Sequence, residues 1–171
     1  MEILTEHAQF LTASIYKKKH LLSNESYKTL IVNSLRFLVN DGRVFVNAFV
    51  IMNNHIHLIW QAREGYQTRE IQRDFLKYIA QMIKFDLQKN DPKLLSEFFV
   101  NLKDREYQIW QRSPMNIELY TEKVFEQKLD YIHYNPVKAG LCQLPEEYKY
   151  SSASFYYLQK SEFEFLTHYK D

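Results

Sequence analysis

Two histidines separated by one residue are the side chains best placed for chemistry in this sequence: His55 and His57, in the segment NNHIHLIW. The apolar and β-branched residues around them predict a strand. Positions i and i+2 of a strand share a face, with backbones roughly 6.6 Å apart, so the two imidazoles can converge on one metal ion while Ile56 faces the core. Two histidines on the solvated face of a strand would give the same pattern, so the pair alone leaves both interpretations open.

The segment KLDYIHYNPVKAG adds a second set of polar groups. Tyr131 and Asn135 are four residues apart, and therefore neighbours on one face of a predicted helix. The Asn135 amide oxygen can complete a three-ligand set, which leaves other positions on the metal to phosphate oxygens and water. Ordinary alternatives remain: Tyr131 is one of 13 tyrosines, and an asparagine before a proline commonly ends a helix. His133 lies about 200° from Tyr131 around the helix, which predicts a structural or surface role.

Alternating strand and helix patterns predict the elements that position these residues. In order they are strand 10–16, a helix capped by Ser23 or Asn24 and ending at Gly42, strands 43–52 and 55–61, helix 68–89, strand 106–112 and a helix from 121 to about 136. The Asn53-Asn54 pair suits a two-residue hairpin turn with positive φ, and residues 93–104 predict a short helix or a lid. This order predicts an α+β, ferredoxin-like sandwich, an antiparallel sheet with helices packed on it.

Composition limits the remaining possibilities. A chain of 171 residues that is 46% hydrophobic predicts a single domain over 1–171, with a core at about 8–157 and a tail at 158–171. The single cysteine, Cys142, excludes an internal disulfide framework and fits a reducing cytoplasm. No apolar run has the length of a membrane span or a signal peptide, so we expect a cytoplasmic protein without a membrane partner. The net charge of +1 restricts any nucleic-acid contact to local patches, and three glycines allow no Gly-rich phosphate loop.

Four motifs together carry a family resemblance: FVIMNNHIHLIW, IWQR, DYIHYNPVKAGL and YSSASFY. In this order and spacing they resemble the IS200-like single-tyrosine (HUH) transposase superfamily and, within it, the REP-associated tyrosine transposases. The resemblance implies that His55, His57 and Asn135 bind a divalent metal, Mg²⁺ or Mn²⁺, and that Tyr131 is the nucleophile. The sequence departs from the family pattern in three places. Asn53-Asn54 stands where relatives often have proline, and SPMNIELY lacks a histidine that some relatives carry. The segment 93–104 is longer than in compact relatives.

The resemblance implies an enzyme that nicks and rejoins hairpin-bearing single-stranded DNA through a 5′-phosphotyrosine intermediate. Lysines and an arginine are candidates for phosphate contacts, and two aromatic residues for base stacking: Lys17, Lys18, Lys19, Arg112 and Lys138, with Tyr107 and Trp110. A possible homodimer would allow the tyrosine to act at the partner's metal. Two alternatives stay open, a domesticated DNA-binding protein that no longer transposes and a hydrolytic metal nuclease that does not need Tyr131.

Overall fold

The computed structural model describes residues 7–171, so the predicted absence of a signal peptide falls partly outside the described residues. Its centre is an antiparallel sheet with strand order β2-β3-β1-β6. The four strands are β1 (Gln9–Ser14), β2 (Val44–Ile51), β3 (His55–Ala62) and β6 (Met115–Glu118). With helices following the first and third strands, this is the βαββαβ order of a ferredoxin-like fold. The predicted fold class is confirmed.

Helices cover both faces of the sheet. Two long helices, α1 (Glu25–Asn40) and α2 (Thr68–Asn90), pack on one face, against Leu11, Ile56 and Trp60. The helix α4 (Glu122–Lys138) packs on the other face, where Phe10 and Ile59 belong to a second apolar cluster. Because side chains alternate along a strand, β1, β2 and β3 each supply residues to both clusters. The second cluster is the floor of the candidate site.

The fourth strand of the sheet is not the predicted one. Residues 106–112 were expected to form it, but that position is taken by β6, in the segment SPMNIELY. The predicted segment instead contributes a short strand, β5 (Arg105–Tyr107), to a separate hairpin with β4 (Phe99–Leu102), and an isolated bridge between Trp110 and Ile15. Residues 93–104 therefore form all but the first residue of a short helix, α3 (Pro92–Ser96), together with β4 and the turn that leads to β5.

Local sequence signals explain where the helices begin and end. The Asn24 side chain accepts a hydrogen bond from the Ser26 backbone N–H and caps α1, as predicted. Helix α4 continues two residues past Pro136 rather than ending there. The missing N–H of a proline removes only one helical hydrogen bond, and the turn is closed by Gly140, whose φ is +75° and whose N–H donates to the Val137 carbonyl.

The turn between β2 and β3 also differs from the expectation. Neither Asn53 nor Asn54 has a positive φ, so the turn is not of the primed kind. Their peptide groups are fixed from outside the hairpin, because the Asn53 carbonyl accepts from the Leu22 N–H and the Asn54 carbonyl from the Ile15 N–H. The turn that precedes His55 is thus bound to the loop that follows β1.

The C-terminal segment packs against the sheet. Phe165 and Leu166 are buried, Leu166 forms a parallel bridge with Val46, and the Thr167 N–H donates to the Val46 carbonyl. A short helix, α5 (Ala153–Tyr157), precedes this segment. The predicted tail therefore contributes residues 165–167 to the packing against the sheet. Over residues 7–171, no helix has both the length and the apolar character needed to cross a membrane.

Candidate active site

The two histidines point from β3 to the face covered by α4. Their rings lie 4.8 Å apart between centroids, in an edge-to-face arrangement. Ile56 is fully buried on the opposite face, as the strand pattern predicted. The spacing of two residues therefore brings both imidazoles to one side of the sheet, under a helix, rather than into open solvent.

His57 has one ring nitrogen bonded and one without a partner. Thr12 lies directly across from it in the β1–β3 ladder, and the Thr12 hydroxyl is 2.8 Å from Nδ1. The other nitrogen, Nε2, is buried and has no hydrogen-bond partner among the described residues. Burial lowers the pKa of His57 to about 3, with smaller contributions from His55, Lys128 and Lys18. The ring is consequently neutral near pH 7, and Nε2 carries a free lone pair when Nδ1–H donates to Thr12.

His55 is oriented by an asparagine on each side. Its Nδ1 is 2.7 Å from Asn54 Oδ1, and its Nε2 is 3.2 Å from Asn135 Oδ1. Burial is the largest cause of the lowered pKa of His55, which favours the neutral ring. A neutral ring that donates Nδ1–H to Asn54 has no proton left on Nε2. Two lone-pair atoms, His55 Nε2 and Asn135 Oδ1, then face each other, an arrangement that a bound cation would stabilise.

Helix α4 is held on this face by a buried polar contact. His133 Nε2 is 2.8 Å from the Ser152 hydroxyl, which also accepts a hydrogen bond from the Phe49 backbone N–H on β2. His133 and Ser152 are each 1% exposed, and burial lowers the pKa of His133 to about 4. The predicted structural role of His133 is thus what the structure shows. Ser152, in the YSSASFY motif, therefore links β2 to α4, the helix that carries Tyr131 and Asn135.

Tyr131 lies at the edge of the histidine pair. Its ring meets the His57 ring edge to face, with centroids 5.2 Å apart, and it is 43% exposed. Its hydroxyl forms no hydrogen bond with any residue in 7–171. The side chain is thus packed on one side by protein while its oxygen is free to meet a ligand from solvent.

The ligand atoms of His55, His57 and Asn135 suit one divalent ion, although they do not form a cluster of His, Cys, Asp and Glu side chains. In the described part of the chain, no group of three or more His, Cys, Asp and Glu side chains is arranged to hold a metal. The site instead offers two neutral imidazole nitrogens and an amide oxygen, all ligand types that divalent metals accept in proteins. The unpartnered His57 Nε2 is the observation that favours an ion here, because a buried polar atom without a partner is uncommon.

The predicted DNA-contact residues are only partly brought to this site. Lys138 lies with its ammonium 5.8 Å from the Tyr131 ring, and Lys18 donates to the Ser14 hydroxyl, opposite His55 in the ladder. The other three predicted cations, Lys17, Lys19 and Arg112, do not lie beside the site. Lys19 forms an ion pair with Glu97, and Arg112 lies 4.0 Å from Asp104.

Trp110 occupies a position unsuited to base stacking. It is 8% exposed, and its indole N–H donates to the Leu76 carbonyl of α2. Its burial and this hydrogen bond give it a packing role, in contrast to the stacking role expected from the sequence. Tyr107 is half-buried and packs edge to face on Phe99 within the β4–β5 hairpin.

Three residues around the site have no role there that the sequence predicted: Thr12, Asn54 and Lys128. Thr12 and Asn54 orient the histidine rings through Nδ1, an arrangement that usually accompanies metal-binding histidines. Lys128 places its ammonium 5.0 Å from the Phe10 ring and 5.7 Å from the Tyr131 ring. Asn54 adjoins the motif and Lys128 precedes Tyr131 by three residues, but Thr12 could be found only once the β1–β3 register was known.

Comparisons with known proteins agree with the motif resemblance. No family model matches the chain. A curated protein of Haemophilus influenzae named as a REP-associated tyrosine transposase is 36% identical over 106 residues, which is 61% of this chain and 56% of the relative. The chain thus spans little more than half the length of that relative.

A solved REP-associated tyrosine transposase bound to a REP hairpin has the same fold, with a TM-score of 0.66 and 17% identity over 98% of this chain and 94% of that chain. A transposase structure from Deinococcus radiodurans matches less well, with a TM-score of 0.46 and 16% identity over 76% of this chain and 91% of that chain.

These findings agree with the resemblance to the IS200-like superfamily that the four motifs carry, and the structural match shows the shared fold. Within that superfamily, the sequence relative and the structural neighbour above are both REP-associated tyrosine transposases, the branch that the motifs predicted.

Proposed function

We propose that this chain is a metal-dependent transposase that binds hairpin-bearing single-stranded DNA and nicks and rejoins it through a covalent bond to Tyr131. One observation carries the proposal: the unpartnered Nε2 of His57 faces the α4 side of the sheet, where the rings of His55 and Tyr131 lie within 5.2 Å of the His57 ring. A purely structural pair of histidines would be expected to have both ring nitrogens satisfied by the protein.

His55 Nε2, His57 Nε2 and Asn135 Oδ1 would hold the ion, either Mg²⁺ or Mn²⁺. The two imidazole ligands favour Mn²⁺ on chemical grounds. When bound, the ion would draw charge from a non-bridging oxygen of the scissile phosphate and make the phosphorus more electrophilic. Thr12 and Asn54 would fix the tautomers and ring planes of the two histidines, so that both lone pairs stay directed at the site.

Tyr131 supplies the nucleophile in this mechanism. Its oxygen forms a bond to phosphorus as the bond from phosphorus to the 3′-oxygen breaks; the phenol proton passes to solvent and the 3′-oxygen takes up a proton. The products are a 5′-phosphotyrosine and a free 3′-hydroxyl. A phosphodiester is exchanged for another phosphoester, so a second 3′-hydroxyl can reverse the step without ATP. This fits a sequence with no Gly-rich nucleotide loop.

The proposed DNA partner rests on the structural neighbour and on local charge. The neighbour was solved with a REP hairpin. In this chain Lys18 and Lys138 lie at the site and are the best placed of the predicted phosphate contacts. A homodimer remains a prediction from the sequence.

The test is an adduct assay. The chain is incubated with Mn²⁺ and a hairpin-flanked single strand labelled at its 3′ end, because the proposed link is to the 5′ phosphate of the downstream fragment. We expect a denaturation-resistant protein–DNA species, lost in Tyr131→Phe and retained in the control Tyr134→Phe, an exposed tyrosine on the same helix. His57→Ala should lose cleavage and keep most DNA binding.

Other outcomes of this assay would support one of the two alternative functions. Cleavage that survives Tyr131→Phe without an adduct would indicate a metal-dependent hydrolase. Hairpin binding by the wild type with no cleavage under any divalent metal would indicate a DNA-binding module that no longer transposes. Either result contradicts the tyrosine mechanism.

A further inference from the structure

Lys128 is a half-buried cation that has no acidic partner among the described residues. No carboxylate in residues 7–171 lies within ion-pair distance of its ammonium. The neighbouring Glu126 is engaged elsewhere, since its carboxylate accepts a hydrogen bond from the Tyr169 hydroxyl. Removing an ammonium from water costs free energy unless an anion or a hydrogen-bonding group compensates, so the position of Lys128 calls for an anionic ligand.

The surroundings of Lys128 are those of the candidate nucleophile. It precedes Tyr131 by three residues and therefore shares a face of α4 with it. Its ammonium lies 5.0 Å from the Phe10 ring and 5.7 Å from the Tyr131 ring, and its charge is one of the causes of the lowered pKa of His57. The Lys128 ammonium therefore borders the Tyr131 ring and lies close enough to His57 for its charge to act on that ring.

We propose that Lys128 is a catalytic residue whose ammonium binds a non-bridging oxygen of the scissile phosphodiester and stabilises the charge that develops as Tyr131 attacks. This inference rests on the proposed function. In this step the bond from the Tyr131 oxygen to phosphorus forms and the bond from phosphorus to the 3′-oxygen breaks. Lys128 keeps its proton throughout and acts only by charge.

Lys128 and Lys138 differ in what they can contribute. Lys138 is exposed and follows Tyr131 by seven residues, with its ammonium 5.8 Å from the ring. An exposed lysine contacts DNA equally in the ground state and in the transition state, which affects binding more than rate. Lys128 is partly withdrawn from water between Phe10 and Tyr131, where a charge acts more strongly on its neighbours.

The test measures adduct formation as a function of DNA concentration, in single turnover and with Mn²⁺. We expect Lys128→Met to lower the rate at saturating DNA about 100- to 1000-fold, the usual effect of losing one group that stabilises a developing charge. The apparent KM should change much less. Lys128→Arg, which keeps the charge, should recover the rate to within about tenfold, and Lys123→Met, an exposed lysine on the same helix, should match the wild type.

Each alternative result overturns the assignment. An unchanged rate at saturating DNA with a raised KM would place Lys128 among ordinary DNA contacts. Equal losses in Lys128→Met and Lys128→Arg, with intact circular dichroism, would show that charge is not what matters. Failure of the wild type to form any adduct would overturn both this inference and the proposed function, whereas a normal wild type with a fully active Lys128→Met would overturn this inference alone.

Discussion

Ser152→Ala is predicted to destabilise the protein strongly although it removes a single oxygen atom. The Ser152 hydroxyl is buried, accepts a hydrogen bond from the Phe49 N–H at 3.0 Å and lies 2.8 Å from His133 Nε2. The alanine would leave both of these buried groups without that partner. Each unsatisfied group costs about 1–3 kcal/mol, so we expect a loss of about 2–4 kcal/mol in the free energy of unfolding.

The assay is urea denaturation followed by the fluorescence of Trp60 and Trp110, with the free energy obtained by linear extrapolation. Ser23→Ala serves as the control, since the exposed Ser23 hydroxyl only donates to the His20 carbonyl. Its loss should stay within about 0.5 kcal/mol. A loss of the same small size in Ser152→Ala, with an unchanged urea dependence, would refute the assignment of Ser152 as the buried link between β2 and α4.

Three further predictions each concern a single residue. Thr12→Val removes the hydroxyl that orients His57, and Mn²⁺ affinity measured by calorimetry should fall about 10- to 100-fold; unchanged affinity would separate Thr12 from the site. Asn24→Ala removes the cap of α1 and should cost about 1 kcal/mol of unfolding free energy, whereas no loss in urea titration would contradict the capping role. Gly140→Ala places a Cβ at a φ of +75° with no atom nearby, so it should cost about 1 kcal/mol from backbone strain alone; a thermal midpoint equal to that of the wild type would argue against this.

The sequence predicts the fold well wherever side-chain alternation and helix caps are strong. β1, the β2–β3 hairpin and the long helices α1 and α2 have clear apolar periodicity, because each buries one face or one stripe in the core. The fourth strand was predicted in the wrong segment because the true strand lacks this apolar periodicity. Met115–Glu118 is a short edge strand whose side chains are mostly exposed, so it has no apolar alternation to detect, whereas the segment around Trp110 is apolar because it packs under α2.

The candidate site was predictable in its main members and not in their partners. His55 and His57 share a face because of their spacing, and Tyr131 and Asn135 share a helix face for the same kind of reason. The contact between Asn135 and His55 depends on how α4 docks, and the contact between Thr12 and His57 depends on strand register. Both arise from packing between elements far apart in the chain, which local patterns do not determine.

Identification of the tyrosine that carries DNA would test the covalent mechanism directly. The protein–DNA adduct is digested with protease and nuclease, and the modified peptide is sequenced by mass spectrometry. Of the 13 tyrosines in the chain, we expect Tyr131 alone to carry a nucleotide, attached through its 5′ phosphate and formed only with a divalent metal. A nucleotide on exposed Tyr134 or Tyr157 in place of Tyr131, or an adduct that forms equally well in EDTA, would contradict it.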